Sequence, residues 1–137
     1  MILVDTGPLV ALFDPADAAH ARCVRTLKSI ERQLATTVPV LTEAFHLLSP
    51  NGPGARGLMD FVAAGGLTVS FLDDTSLTRA FELMNEYADA SMDLADASLV
   101  ATAERENVRH VFTVDRRDFS IYRLKRGHRR YALEIIG

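Results

Sequence analysis

Four carboxylates in this sequence stand where charged side chains are uncommon. Asp5 and Asp115 each end a short apolar run, so each is predicted at the carboxyl end of a buried strand. Glu43 lies in a helical segment that is apolar nearly all round, where an unpaired charge is expensive to bury. Asp96 lies one turn inside another predicted helix, and its small alanine neighbours leave room for a ligand. These four positions are the first candidates for chemistry.

Two strand ends and two helices can project these four side chains into one cleft, with Asp118 beside them. Carboxylates at close quarters repel one another, so a cluster without basic residues requires protonation or a cation. An oxygen-only ligand set favours Mg²⁺ or Mn²⁺ over Zn²⁺. Two such ions about 4 Å apart can activate water and stabilise the leaving oxygen of a phosphodiester. The sequence therefore indicates metal-dependent phosphate chemistry.

Most of these acids also have a plain structural interpretation. Asp5 can be a helix N-cap, Asp93 is well placed to cap the helix that carries Asp96, and Asp118 can be an ordinary turn residue. A helix cap does not explain Asp96 itself. His46, three residues after the glutamate, suggests a metal-binding pair. The chain has no second such pair, so we predict a partly buried structural histidine.

Short apolar runs alternate with helical patterns along the whole chain. Five strands are predicted, at residues 1–4, 34–38, 67–71, 111–114 and 131–136. Helices are predicted directly after Asp5 and at residues 17–33, 39–48, 57–64, 76–87 and 94–107. This alternation indicates an α/β fold, a three-layer α/β/α sandwich with a mainly parallel sheet of about five strands. Such sheets bind ligands at the carboxyl ends of their strands, where Asp5 and Asp115 are predicted.

Length and composition are typical of a single domain spanning residues 1–137. The chain is 48% hydrophobic and 24% charged, as ordinary globular proteins are. Cys23 is the only cysteine, which excludes a disulfide scaffold and a zinc site built on cysteine pairs. No apolar run approaches the roughly 20 residues of a membrane helix, and no signal peptide is visible. We therefore expect a cytoplasmic protein.

Basic residues are concentrated in the last part of the chain. Residues 1–115 carry 8 bases and 16 acids, whereas residues 116–137 carry 7 bases and 2 acids. The overall charge of −3 therefore combines two parts of opposite sign. A basic segment on an acidic body can bind phosphates or an acidic partner. The charge count alone slightly favours the simpler alternative, a solvated basic surface.

Four motifs resemble those of PIN-domain nucleases, and among these the VapC-type toxins of bacterial toxin–antitoxin pairs. The opening run MILVDT is similar to their first strand, which ends in Asp-Thr or Asp-Ser. Thr42-Glu43 is similar to their glutamate early in a helix, and DLADA at 93–97 to their Asp-Ala segment. TVDRRDF at 113–119 resembles their Thr-x-Asp-x-x-Asp-Phe stretch. Together these motifs cover essentially the whole chain.

The resemblance implies a PIN-like fold and an Mg²⁺- or Mn²⁺-dependent endoribonuclease. Such an enzyme cleaves single-stranded or looped RNA and leaves 5′-phosphate and 3′-hydroxyl ends. The implied catalytic and metal-binding residues are Asp5, Glu43, Asp96 and Asp115, with Asp118 as a substitute ligand or a neighbour of the ligands. The implied supporting residues, which orient a ligand or lie beside it, are Thr6, Asp93 and Thr113.

The resemblance also implies three partners. These are an RNA substrate, a small antitoxin protein that lies over the cleft, and a second copy of the chain in a homodimer. No membrane association is expected. The basic segment then gains a role in holding the RNA backbone, which we assign to Arg116, Arg117, Arg123 and Arg126.

Three other functions remain open at this point. A haloacid-dehalogenase-like phosphatase also begins with a strand ending in Asp, but it needs a second Asp where this chain has Gly7. A receiver-type signalling module also gathers acids and Mg²⁺ at strand ends, but Lys125 is poorly placed to be its lysine. A non-catalytic PIN-fold binding protein would have lost the chemistry, whereas all four acid positions are filled here.

Overall fold

The computed structural model describes every residue from Met1 to Gly137. The strands are β1 (Ile2–Val4), β2 (Leu34–Thr37), β3 (Leu67–Ser70), β4 (His110–Phe112), β5 (Arg123–Arg126), β6 (Arg129–Ala132) and β7 (Glu134–Ile136). The helices are α1 (Thr6–Phe13), α2 (His20–Ser29), α3 (Val38–Leu47), α4 (Pro53–Ala63), α5 (Asp74–Glu86), α6 (Leu94–Glu106) and α7 (Arg116–Ile121). A short 3₁₀ turn covers Ala88–Ala90.

Five parallel strands form the main sheet in the order β3-β2-β1-β4-β7, which confirms the predicted α/β fold. The central strand, β1, places Leu3 beside Ala35 of β2 on one side and beside Val111 of β4 on the other. From β1 the chain moves outward through β2 and β3, then crosses back to β4. The direction of winding thus reverses between β1 and β4, where parallel sheets open a ligand crevice.

Helices cover both faces of the sheet. Crossovers between parallel strands are right-handed as a rule, which assigns α1 to α4 to one face and α5 and α6 to the other. On the first face α1 contacts α2, α3 and α4, whereas on the second α5 packs along α6. The central strands between these helices are shielded from solvent, since Leu3 and Val4 of β1 and Phe112 of β4 are at most 1% exposed. This rigid core holds the strand ends in place.

The end of the chain differs from its prediction. The strand expected at 131–136 is two strands separated by the buried Leu133. β6 pairs antiparallel with β5 in a hairpin outside the main sheet, and only β7 joins β4. Gly127 forms the hairpin turn with a φ of +62°, a conformation that suits glycine. β5 was not predicted because Leu124 is its only apolar residue and gives no alternating pattern.

Two helices also have different bounds from those expected. The helix predicted at 17–33 is shorter, because the Asp17 carboxylate accepts a hydrogen bond from the Ala19 N–H and holds a turn before α2. The helix predicted at 57–64 begins earlier, with Pro53 in its first turn, where proline is favoured. No helix combines the length and the apolar character needed to cross a membrane.

Candidate active site

A cleft of about 400 Å³ opens at the carboxyl ends of β1 and β4. Its ionisable lining is acidic without exception, and the acids are Asp5, Asp17, Glu43, Asp93, Asp96, Asp115 and Asp118. Thr6, Gly7 and Ser91 line it as well, and no lysine, arginine or histidine does. All six acids singled out from the sequence therefore lie around one cavity.

Asp5 lies deepest in this cleft. It follows β1 and precedes the first residue of α1, and only 7% of its surface is exposed. Its Oδ2 accepts a hydrogen bond of 2.8 Å from the Thr113 hydroxyl, which in turn accepts one from the Asp115 N–H at 2.9 Å. The buried Thr113 thus ties the ends of β1 and β4 together. Burial raises the pKa of Asp5 to about 6, and the charges of Asp115 and Glu43 add to the increase.

Asp93 and Asp96 face the cleft from the start of α6. Asp93 is the N-cap, and its Oδ1 accepts a hydrogen bond of 2.8 Å from the Asp96 N–H, the capping geometry expected from the sequence. Asp96 has a different partner, because its Oδ2 accepts a hydrogen bond of 2.9 Å from the Tyr122 hydroxyl. Burial, followed by the charges of Asp93 and Asp5, raises the pKa of Asp96 to about 7.

Asp115 and Asp118 reach the cleft from the start of α7. β4 ends at Phe112, so Asp115 is not the last strand residue but the N-cap of α7. Its Oδ1 accepts a hydrogen bond of 3.2 Å from the Asp118 N–H. Hydrogen bonding between the two side chains raises the pKa of Asp118, and burial adds to it. Asp115 and Asp118 therefore reach the same part of the cleft as direct neighbours.

Glu43 enters from α3 and is half-buried. It also borders a second cavity of about 580 Å³, which lies between α3 and the start of α6 and has Val38, Pro39 and Leu94 in its wall. His46 lines this second cavity and not the acidic cleft. His46 is exposed, so the prediction of a partly buried structural histidine was wrong. The histidine lies on the solvent side of α3, because one face of that helix is open.

Three residues near the carboxylates were missed from the sequence. Asp17 comes from the turn before α2, and Ser91 adopts a left-handed conformation with a φ of 57° just before α6. Neither ends a strand or interrupts an apolar helix, so neither carried the signal that marked the other acids. Tyr122 lies in a stretch that reads as basic, and only the folded chain brings its hydroxyl to Asp96.

The four arginines predicted to bind RNA do not line the cleft, and three of them have partners within the chain. Arg116 donates to the Gly137 carbonyl at 2.8 Å. Arg123 donates to the carbonyl oxygens of Ser120 and Tyr122. Arg126 lies at the far end of α6, where it donates to the Asn107 side chain and the Ala103 carbonyl. Arg117 is exposed and near Asp118. An RNA-binding role for these arginines stays a prediction.

The cleft has the donor chemistry of a divalent-cation site. Every candidate ligand is a carboxylate or hydroxyl oxygen, and these are the ligands that Mg²⁺ and Mn²⁺ prefer. Thr6 also lines the cleft, and its buried hydroxyl has no hydrogen-bond partner in the protein. As the side chains stand, no three of the acids already form a group that could hold an ion. Coordination therefore requires rotation of the more exposed carboxylates towards Asp5 and Asp96.

Comparison with known proteins identifies related sequences and folds. The family model described as PIN domain matches residues 2–126. Ribonuclease VapC26 of Mycobacterium tuberculosis is 28% identical over 124 residues, which cover 89% of this chain and 92% of that protein. The family match gives no support to a haloacid-dehalogenase or receiver fold. It gives none to a non-catalytic binding protein either, since the curated relative is a ribonuclease.

Three solved structures have a similar fold. Mycobacterium tuberculosis VapC20, described as a sarcin-ricin loop cleaving toxin, has a TM-score of 0.75 and 21% identity, covering 86% of this chain and 92% of that chain. A toxin–antitoxin complex from Klebsiella pneumoniae has a TM-score of 0.68 and 21% identity, covering 88% and 92%. FitAcB from Neisseria gonorrhoeae has a TM-score of 0.58 and 22% identity, covering 87% and 91%.

Proposed function

This chain belongs to the PIN-domain family, and from that membership we propose that it is a divalent-metal-dependent endoribonuclease and the toxin of a toxin–antitoxin pair. The observation that carries the proposal is the cleft at the ends of β1 and β4, which is lined by acids and by no basic side chain. A ribonuclease that matches along nearly the whole chain supports RNA as the substrate. The proposed location is the cytoplasm, where such an RNA would be found.

The residues that would hold Mg²⁺ or Mn²⁺ are Asp5, Glu43, Asp96 and Asp115, with Asp118 as a further ligand. When bound, the ion would offset the mutual repulsion of these carboxylates and act as a Lewis acid on the scissile phosphodiester. Thr113 fixes the Asp5 carboxylate through its hydroxyl, and the Asp93 cap fixes the first turn of α6. Thr6 lines the cleft, and its buried, unpartnered hydroxyl would have to turn towards the cleft to hold a water molecule or a phosphate oxygen.

The proposed protein partners follow from the comparisons and from the charge of the cleft. Two of the structural neighbours are described as a toxin–antitoxin complex and as FitAcB. A cationic side chain of an antitoxin would be attracted to the acidic cleft and would compete with the metal ion there. We also propose a homodimer, which sedimentation equilibrium would test by giving about twice the chain mass of 15.1 kDa. A mass equal to one chain would contradict it.

Cleavage of RNA by the purified protein tests the proposed activity. We expect a labelled single-stranded RNA to be cleaved in Mg²⁺ or Mn²⁺, and the cleavage to stop on addition of EDTA. Asp96→Asn keeps the size of the side chain but removes its charge, so it should lower the rate by at least 100-fold. Asp60 is exposed on α4 and does not line the cleft, so Asp60→Asn is the matched control. Equal cleavage by wild type and Asp96→Asn would contradict the proposal.

Expression in a bacterial host tests the toxin part of the proposal. We expect expression of the wild-type chain to arrest growth and expression of Asp96→Asn to leave growth unaffected. A small protein encoded next to this chain should relieve the arrest when both are expressed. A nuclease that is active in solution but harmless in the host would leave the ribonuclease assignment standing and reject the toxin assignment.

A further inference from the structure

Tyr122 is a buried side chain that contacts the candidate site from the protein interior. It follows α7 directly, its side chain is fully buried, and its hydroxyl donates a hydrogen bond of 2.9 Å to Asp96 Oδ2. Its ring makes edge-to-face contacts with Phe119 and Tyr87, each with a centroid distance of 5.2 Å. The phenol is therefore held in one orientation by packing on two sides.

The position of the hydroxyl determines which part of Asp96 remains available. Asp96 lines the acidic cleft but Tyr122 does not, so the hydrogen bond reaches the carboxylate from the protein side. The bond occupies Oδ2, whereas Oδ1 accepts no hydrogen bond from the chain. A hydrogen bond to an ionised carboxylate is stronger than one between neutral groups. It can therefore hold the side chain in one rotamer against repulsion from the neighbouring acids.

We propose that Tyr122 is a positioning residue that holds the Asp96 carboxylate by Oδ2, so that Oδ1 is presented to the divalent cation in the cleft. The inference rests on the proposed metal-dependent function and adds a residue to it. Groups that hydrogen-bond to metal ligands fix the direction of those ligands, and their loss typically weakens metal binding by about 10- to 100-fold. Tyr122 is the group that hydrogen-bonds to Asp96 in this way.

The aromatic cluster supplies a matched control. The Tyr87 hydroxyl accepts a hydrogen bond of 3.0 Å from the Arg123 N–H, so it anchors the start of β5. Tyr87 packs against Tyr122 but does not line the cleft. Tyr87→Phe and Tyr122→Phe each remove one hydroxyl from the same cluster and leave the rings in place. Only the second removes a hydrogen bond to a candidate metal ligand.

Calorimetric titration with Mn²⁺ alone tests the proposal without an activity measurement. We expect Tyr122→Phe to raise the Mn²⁺ dissociation constant by about tenfold or more, and Tyr87→Phe to change it less than twofold. Thermal unfolding in EDTA shows whether both variants are folded. If wild type and Tyr122→Phe bind Mn²⁺ equally, the positioning role is rejected while the metal site stands. If the wild type binds no Mn²⁺, the proposed function fails together with this inference.

Tyrosine fluorescence gives a second readout, because it reports whether a cation acts on the carboxylate to which Tyr122 donates. The chain has three tyrosines and no tryptophan, so its intrinsic emission comes from Tyr87, Tyr122 and Tyr131. A phenol that donates to a carboxylate is quenched, so a cation that draws charge from Asp96 should change the emission of Tyr122. When Mg²⁺ is added in the absence of Mn²⁺, we expect the tyrosine emission of the wild type and of Tyr131→Phe to change. The emission of Tyr122→Phe should not change. If Mg²⁺ changes the emission of Tyr122→Phe as much as that of the wild type, the proposal is overturned.

Discussion

At the level of single residues, Asp5 and Asp96 are buried or half-buried carboxylates that no basic side chain of the protein neutralises. Both are partly or fully removed from water, both have other acids as neighbours, and no basic side chain lines their cleft. The pKa of Asp5 is raised to about 6 and that of Asp96 to about 7. Without a cation, the ionised forms of these residues therefore destabilise the folded state near neutral pH.

This arrangement predicts how stability depends on pH when no metal is bound. Between pH 3.8, the ordinary pKa of an aspartate, and about pH 7, folded Asp96 holds a proton that the unfolded chain releases. The folded state thus binds more protons, and its stability falls as the pH rises through this window. In EDTA, Asp96→Asn should raise the free energy of unfolding by about 2 kcal/mol at pH 8 and by well under 1 kcal/mol at pH 4.5.

Urea denaturation at both pH values measures this difference. Asn keeps an oxygen that can accept the Tyr122 hydrogen bond, so the change isolates the charge of Asp96. Asp60→Asn, an exposed substitution on α4, should alter stability by less than 0.5 kcal/mol at either pH. A gain that is the same at pH 8 and pH 4.5 would show that repulsion among the carboxylates is not its source.

Sequence reasoning located the acids but not the residues that support them. Asp5, Glu43 and Asp96 were visible because a charge in or next to an apolar segment contradicts its surroundings. Tyr122 and Asp17 are ordinary residue types for their sequence neighbourhoods, so no local pattern marks them. Their contribution depends on which distant groups they meet after folding, such as the Asp96 carboxylate 26 residues before Tyr122.

At the level of elements, the pairing of β1 with β4 is what brings the acids together. The carboxyl ends of adjacent parallel strands meet at one edge, so the two apolar runs that end near Asp5 and Asp115 were sufficient to predict this part of the site. The β5–β6 hairpin was not predictable in the same way. Its strands are short, carry mostly charged residues and pair only with each other, and Leu124 is their one buried residue, so no alternating pattern marks them.

The junction between β1 and α1 leaves no room for a side chain at residue 7. A Cβ atom on Gly7 would lie 2.5 Å from Val114 Cγ2, in the segment between β4 and Asp115. Gly7→Ala should therefore displace that segment, lower the free energy of unfolding by about 1–3 kcal/mol and weaken Mn²⁺ binding. Denaturation and calorimetry measure the two effects.

A second substitution at the same contact provides the control. Val114→Ala removes the methyl group that would collide with the new Cβ, so the double variant should recover most of the stability and Mn²⁺ affinity lost in Gly7→Ala. Additive losses in the double variant would show that the contact with Val114 is not what excludes a side chain at residue 7.

At the level of the whole molecule, the basic segment and the acidic body are less separate than the sequence indicates, because they contact each other. The basic segment carries 7 bases and 2 acids, but several of its arginines are occupied by the rest of the chain. Arg130 pairs with Glu86 of α5, and Arg126 covers the last carbonyl groups of α6. Part of the segment therefore fastens the hairpin to the α5–α6 layer, while the remainder is free to meet a phosphate backbone.

We expect RNA binding to distinguish the arginines that contact the α5–α6 layer from those that are free to contact RNA. In an Asp5→Asn background, in which we expect no cleavage, Arg117→Ala should weaken binding of a labelled oligouridine and reduce the slope of log affinity against log salt by about one. Arg126→Ala should instead lower the melting temperature and leave the salt slope unchanged, because Arg126 contacts α6. A slope that changes equally in both variants would show that the whole basic segment tracks the RNA.

The last strand has a consequence for the time at which the cleft can form during synthesis. β7 is translated after β4, with which it pairs, and the Thr113 N–H donates to the Ile136 carbonyl. Until residues 134–136 have left the ribosomal exit tunnel, the segment that carries Asp115 lacks its outer neighbour. The wall of the cleft that contains Asp115 would therefore be completed only after that release.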